Sequence, residues 1–245
     1  MLKLKTEKFL GVIAMKKIIL LLFGLILCTS VSALEEEILV EKNNIQCRID
    51  KIGTKLLNSN KIENRVVFVY DDKAKSNLLN SNKHLTKRQV VVYKDCYKSI
   101  ENDDELAAFL AREIPAASRS YDGLGKGWLT SAKLKIAPKK YEMVFDKLAV
   151  DFMVKAGYNP LGLITFINKT CPQARQDKLS NHNLTSKRLA NIYERIYIQY
   201  PTFIINNTYI ENEYYQNFLL TSQNNRKMLK EKVRTSQWNK ELQYE

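Results

Sequence analysis

A chain of 245 residues is long enough to bury one sizeable core and too short for several ordinary domains. Apolar residues at 45%, charged residues at 27%, 8 Gly and 5 Pro exclude a collagen-like, low-complexity or wholly disordered chain. The net charge of +13 suits an acidic partner such as an anionic membrane surface, although a composition rich in Lys, Asn and Ile is also what an AT-rich genome produces.

The first element is an export signal. Met15-Lys16-Lys17 precedes Ile18 to Leu27, an unbroken apolar run with one Gly, and Val31-Ser32-Ala33 supplies small residues at cleavage-site spacing. These are the n-, h- and c-regions of a secretory signal, cut near Ala33, and they place the mature protein in the periplasm or cell envelope. The run is shorter than the ~20 apolar residues of a permanent membrane helix. Met1 to Ala14 is either a long n-region or lies upstream of a true start at Met15. Leu27 stands before Cys28 where a lipid anchor calls for a small residue, which argues against lipidation. An exported basic protein is poorly placed to meet DNA, so nucleic acid is set aside as a partner. Cys47, Cys96 and Cys171 remain after cleavage. An oxidising compartment permits one disulfide among them and leaves a thiol over, with the pairing open.

In the mature chain, Ile38, Ile45, Ile49, Ile52 and Leu56 lie at helical spacing within Leu34 to Leu57, and Asn58-Ser59-Asn60 stops the helix. Val66 to Tyr70 and Gln89 to Tyr93 are β-branched and aromatic runs that predict strands, joined by a Lys- and Asn-rich stretch. Asn102 and Glu105 have capping-box spacing at the start of the next helix, whose first turn is acidic. Leu106, Phe109, Leu110 and Ile114 form its buried stripe, and Glu113 falls on the same inward side, where a carboxylate needs a partner. Pro115 sits mid-helix and removes a backbone donor. Gly123 to Ala137, with Trp128, reads as a loop.

Tyr141 to Ala156 predicts a second strong helix ended by Gly157 as a left-handed cap, and Pro160 opens a third at its first position. Thr185 or Ser186 caps a fourth, which stops at Pro201; beyond it the chain is helical in pattern but increasingly polar. The fold class is α+β, mainly helical, with a small sheet. The division is a signal over 1–33, a domain over 34–201 and a helical extension over 202–245. Tyr193, Tyr197, Tyr200, Tyr209, Tyr214 and Tyr215 read as core and interface, and Arg226 to Arg234 as a solvated helix face.

Four segments carry a resemblance. Asp104-Glu105-Leu106-Ala107-Ala108-Phe109-Leu110-Ala111-Arg112-Glu113-Ile114 is similar to D/E-E-L-A-x-x-L-A-H-E-I-G-H, the active helix of the HtpX-like and BepA-like metallopeptidases, relatives of the CAAX prenyl endopeptidases. Glu142 to Asp146 resembles their E-x-x-A-D segment, and Ala156-Gly157-Tyr158-Asn159-Pro160 their A-G-Y-D-P turn. Ser180-Asn181-His182-Asn183, with Arg188 six residues past the His, resembles S-T-H-P-x-x-x-x-R. The segments come in family order and together cover about residues 64–201. The resemblance implies a zincin-like fold with a cleft over the active helix, Glu113 as the general base, Glu142 as a metal ligand, His182 beside the cleft, and Asp146 and Arg188 in support. In such a site two His at i and i+4 share a helix face, bind Zn²⁺ with a glutamate from a second helix, and the ion lowers the pKa of its water to ~7.

Here the ligand pair is broken. Arg112 holds the first His position and Ala116 the second, with Pro115 at the Gly position. His84 and His182 are the only histidines and lie 98 residues apart, so no His-x-x-x-His pair exists in the chain. A guanidinium about 4 Å from a divalent cation meets roughly 8 kcal/mol of repulsion at an effective dielectric near 20. The expectation is therefore no zinc, with Arg112 paired instead to Glu113, Glu142 or both, and Arg188 paired to an acid such as Asp146. Three readings stand. The first is a non-catalytic pseudopeptidase that binds an extended peptide or an envelope protein by strand addition. The second is a working zinc endopeptidase with ligands recruited from Glu113, Glu142 and His182, or from a partner chain. The third is a structural envelope protein.

Overall fold

The computed structural model describes residues 38–63, 65–73, 88–119, 138–171 and 183–237. The expected signal segment, the stretch around Trp128 that was expected to be a loop, and both His84 and His182 lie outside the described residues. The chain divides into two compact units, 1–46 and 47–245. Of the first, residues 38–46 are described; they are helical, with Ile38, Leu39 and Val40 exposed. In the second unit the helix continues to residue 59 (α1, 38–59), and Ile49, Ile52 and Leu56 are buried on its inward stripe. Among the described residues no helix is long and apolar enough to cross a bilayer.

The two β-branched runs form strands β1 (Val67–Asp71) and β2 (Gln89–Tyr93), paired in parallel with Val67 opposite Gln89 and Asp71 opposite Tyr93. Strand β2 is buried from Val90 to Tyr93, whereas β1 leaves Val67 exposed. A short helix α2 (Lys94–Lys98) follows β2 directly and buries Cys96.

Helix α3 (Asp103–Arg119) is the central element. Asn102 caps it, its Oδ1 accepting the backbone N–H of Glu105 at 2.9 Å. The reciprocal bond differs from a capping box: the Glu105 carboxylate accepts from the N–H of Glu101 at 2.9 Å. The helix runs through Pro115 to Arg119. It is buried on more than the expected stripe, because Ala107, Ala108 and Ala111 are fully covered as well. Those small side chains let helices pack on several sides of α3. Helix α4 (Pro138–Lys155) packs on one of these and helix α5 (Leu161–Thr170) on another. Gly162 is where α5 comes closest: a Cβ there would lie 2.9 Å from Asp104 Cβ and 3.0 Å from its backbone carbon.

Helix α4 ends in a Schellman motif. Gly157, at φ +74°, donates to Val154, and Tyr158 donates to Met153. Pro160 is the N-cap of α5, one place before its expected position, and the Asn159 side chain accepts from the N–H of Leu161 at 3.0 Å. Helix α6 (Thr185–Gln199) has Leu184 as its N-cap, so Thr185 is its first helical residue and Ser186 its second; neither is the expected cap.

Short helix α7 (Thr202–Ile205) follows Pro201, then α8 (Glu213–Thr221) and α9 (Gln223–Arg234). Asn212 caps α8 by accepting the N–H groups of Tyr214 and Tyr215. These last helices belong to the same compact unit. Tyr215 and Phe218 are buried at 1% exposure each, which a reading of increasing polarity does not anticipate. Within α9, Lys227, Lys230 and Arg234 are exposed as expected, but Lys232 is buried against Glu194 at 2.8 Å.

Candidate functional site

Helix α3 carries Arg112, Glu113 and Ala116; helix α4 carries Glu142 and Asp146 one turn apart; α6 carries Arg188. Because α4 packs against both α3 and α6, these residues meet in the interior. Glu113, Ala116, Glu142, Asp146 and Arg188 are all buried.

Asp146 is the hub, with no exposed surface. Its Oδ2 accepts from Arg188 Nε at 2.8 Å, and its Oδ1 accepts from Arg188 Nη2 at 2.9 Å and Arg112 Nε at 3.0 Å. Burial pushes its carboxyl pKa up, but Arg188 and Arg112 outweigh that and hold it below the ordinary aspartate value. Burial disfavours the charge on Arg188, and the Asp146 carboxylate more than restores it, so its pKa lies above the ordinary value. The same guanidinium reaches Cys171 Sγ at 3.5 Å.

Arg112 has a second partner. Its Nη1 donates to Glu113 Oε1 at 3.1 Å, so the guanidinium bridges a carboxylate on its own helix and one on α4. Glu113 thus meets the charge expected for it. Glu142 is satisfied differently and is not an Arg112 partner: its Oε2 accepts the backbone N–H of Asn183 at 2.9 Å and the Asn183 side-chain amide at 3.0 Å. The amide also donates to the carbonyl of Lys139. The Pro that stands at position 183 in the family pattern has no N–H and could not make the first of these bonds.

Two residues of this region were not legible as part of it. Asn183 was visible only as a mismatch in the His segment. Cys96 is a buried thiol whose pKa is raised by desolvation and then by the Glu113 carboxylate, so it stays in the neutral form. Cys47, Cys96 and Cys171 are all free, being exposed, buried and half-buried respectively. The expected Tyr cluster is partly core: Tyr193, Tyr209 and Tyr215 are buried, and Tyr193 packs on Phe218 with ring centroids 5.4 Å apart.

At the two positions where the resemblance expects imidazoles the chain carries a guanidinium and a methyl group, neither of which is a zinc donor, and Arg112 bonds to the carboxylate beside it. Among the described residues no three His, Cys, Asp or Glu side chains converge to hold a metal.

Comparison with models of protein families, with curated proteins and with solved structures finds no match to this chain.

Proposed function

We propose that this chain is an exported, zincin-like relative of the HtpX-like and BepA-like metalloendopeptidases that no longer hydrolyses peptide bonds and instead binds an extended peptide or an envelope protein. The observation that supports the reading is the pair of hydrogen bonds that Arg112 donates, one to Glu113 and one to Asp146. The residue at the first imidazole position of the pattern is thus held in ion pairs, and the carboxylate at the base position is an acceptor in one of them. Glu142, the remaining ligand position, is taken up by Asn183. The partner would join as an extended strand, so that main-chain hydrogen bonds supply affinity. The positive charge of the chain favours an acidic partner or an anionic membrane surface nearby.

A reconstituted variant tests this reading. Arg112→His together with Ala116→His rebuilds two imidazoles at i and i+4, and Glu142 supplies a third ligand. The double variant should bind zinc stoichiometrically under conditions where the parent binds none. A parent that retains zinc through dialysis, or a refolded double variant with no gain in zinc, would argue that the site does not descend from a metal centre.

A further inference from the structure

Helices α8 and α9 are one helix interrupted at a single residue. Ser222 stands between them at φ −100° and ψ 12°. Helical bonds still pass through it on both sides: its N–H donates to the Phe218 carbonyl and its carbonyl accepts from Arg226, each at 2.9 Å. Three side chains hold the interruption. The Ser222 hydroxyl donates back to the Phe218 carbonyl at 2.5 Å and the Thr221 hydroxyl to the Asn217 carbonyl at 2.9 Å, the back-bonding that bends helices. Arg226 donates from Nη2 to the Leu219 carbonyl at 2.8 Å and from Nε to Ser222 Oγ at 3.2 Å. In an unbroken helix the Leu219 carbonyl accepts from the N–H of residue 223, so a guanidinium holds the place of a main-chain bond.

The two halves are gripped unequally. Helix α8 packs on α5, buries Tyr215 and Phe218, and is tied by Asn168, which donates to the Tyr214 carbonyl at 2.6 Å. Helix α9 packs on α6 and buries only Leu229 and Lys232 of its 12 residues. So few buried contacts mark an element that opens at low cost. The joint is also loosely filled: a cavity of about 10 Å³, room for one water, is lined there by Tyr193, Phe218, Ser222, Arg226 and Leu229.

We propose that Ser222 is a hinge, and that α9 leaves its own α6 and docks on the α6 of a second copy, giving a two-fold, arm-exchanged dimer. When the joint straightens, Gln223 donates to Leu219 in place of Arg226, and residues 213–234 run on as one helix. Detachment alone would part Lys232 from Glu194 and uncover Leu229. A second copy offers the identical surface, so both contacts are remade and exchange costs only the hinge and the association.

The test measures the full chain by size-exclusion chromatography with light scattering. Lys232→Glu and Glu194→Lys each set like charges against one another within a monomer and within a dimer of that variant. When the two variants are refolded together, arm exchange restores opposite charges at both contacts. The mixture should form a dimer with an association constant at least tenfold that of either variant alone. Ser222→Ala removes the back-bond and favours the straight helix, and should raise the parent's association constant about tenfold, the worth of one hydrogen bond. A mixture no more dimeric than its separate variants would overturn the exchange. If the charge variants do not fold, Ser222→Ala decides: an oligomeric state unchanged from the parent at every concentration would overturn the hinge.

Discussion

Arg112→His is the substitution that a metal-centred reading would offer as a repair, and the structure makes it a lesion. It removes a guanidinium that is 12% exposed and donates to Glu113 at 3.1 Å and Asp146 at 3.0 Å. Asp146 keeps its two bonds from Arg188, whereas Glu113, 5% exposed, loses a charged partner. Removing one side of a buried pair costs ~3–5 kcal/mol, because the other charge stays buried. For a chain of this length each kcal/mol moves the melting temperature by about 2–4 °C, so the expected fall is about 6–20 °C. Circular dichroism melts of parent and variant at pH 7.5 measure it. An imidazole titrating near ~6.5 regains a positive charge on acidification, so the gap should narrow by pH 5.5. A variant that melts within about 2 °C of the parent at pH 7.5 would refute the pairing as a source of stability.

Three further outcomes rest on the same geometry. Asp146→Asn leaves two guanidiniums around a neutral amide and should lower stability by ~3–5 kcal/mol in urea unfolding at pH 7. The Asp146 carboxyl is held below its ordinary value, so its contribution is present above ~3.9 and is lost as the pH falls through the lower folded value. The parent-to-variant gap should therefore shrink below about pH 4, and a gap that stays constant on acidification would contradict the assignment. Gly162→Ala pushes a methyl group against the Asp104 backbone and should cost about 1–3 kcal/mol, measured by the same unfolding. Glu105→Gln breaks a buried pair with Lys169 at 2.8 Å while leaving a group that can still bond to Thr165, and should lower the melting temperature by several degrees.

What the sequence revealed depended on how local the cause was. Gly157 announced its helix end because a left-handed residue is a local requirement that Gly meets without strain. The two strands were visible as β-branched runs, but their parallel pairing was not, since the segment that joins them has no pattern that fixes direction. The stripe on α3 was visible, but the burial of Ala107, Ala108 and Ala111 as well was not, because the helices that pack on α3, α4 and α5, are distant in sequence. Glu105 reads as an acid at a helix N-terminus and is in fact fully buried, bonded to Thr165 and Lys169 from the facing helix. At the site, Arg188 was expected to pair with an acid such as Asp146, and it does. The Asn183 bonds to Glu142 were not, because a backbone N–H leaves no mark in a residue pattern beyond the lack of Pro.

Metal analysis of the purified protein, after dialysis against a weak chelator and paired with a casein-cleavage assay, probes the central claim most directly. With Arg112 bonded to Glu113 and Glu142 bonded to Asn183, the account predicts zinc well below one equivalent and no cleavage. Stoichiometric zinc, with cleavage that disappears in Glu113→Gln, would contradict it.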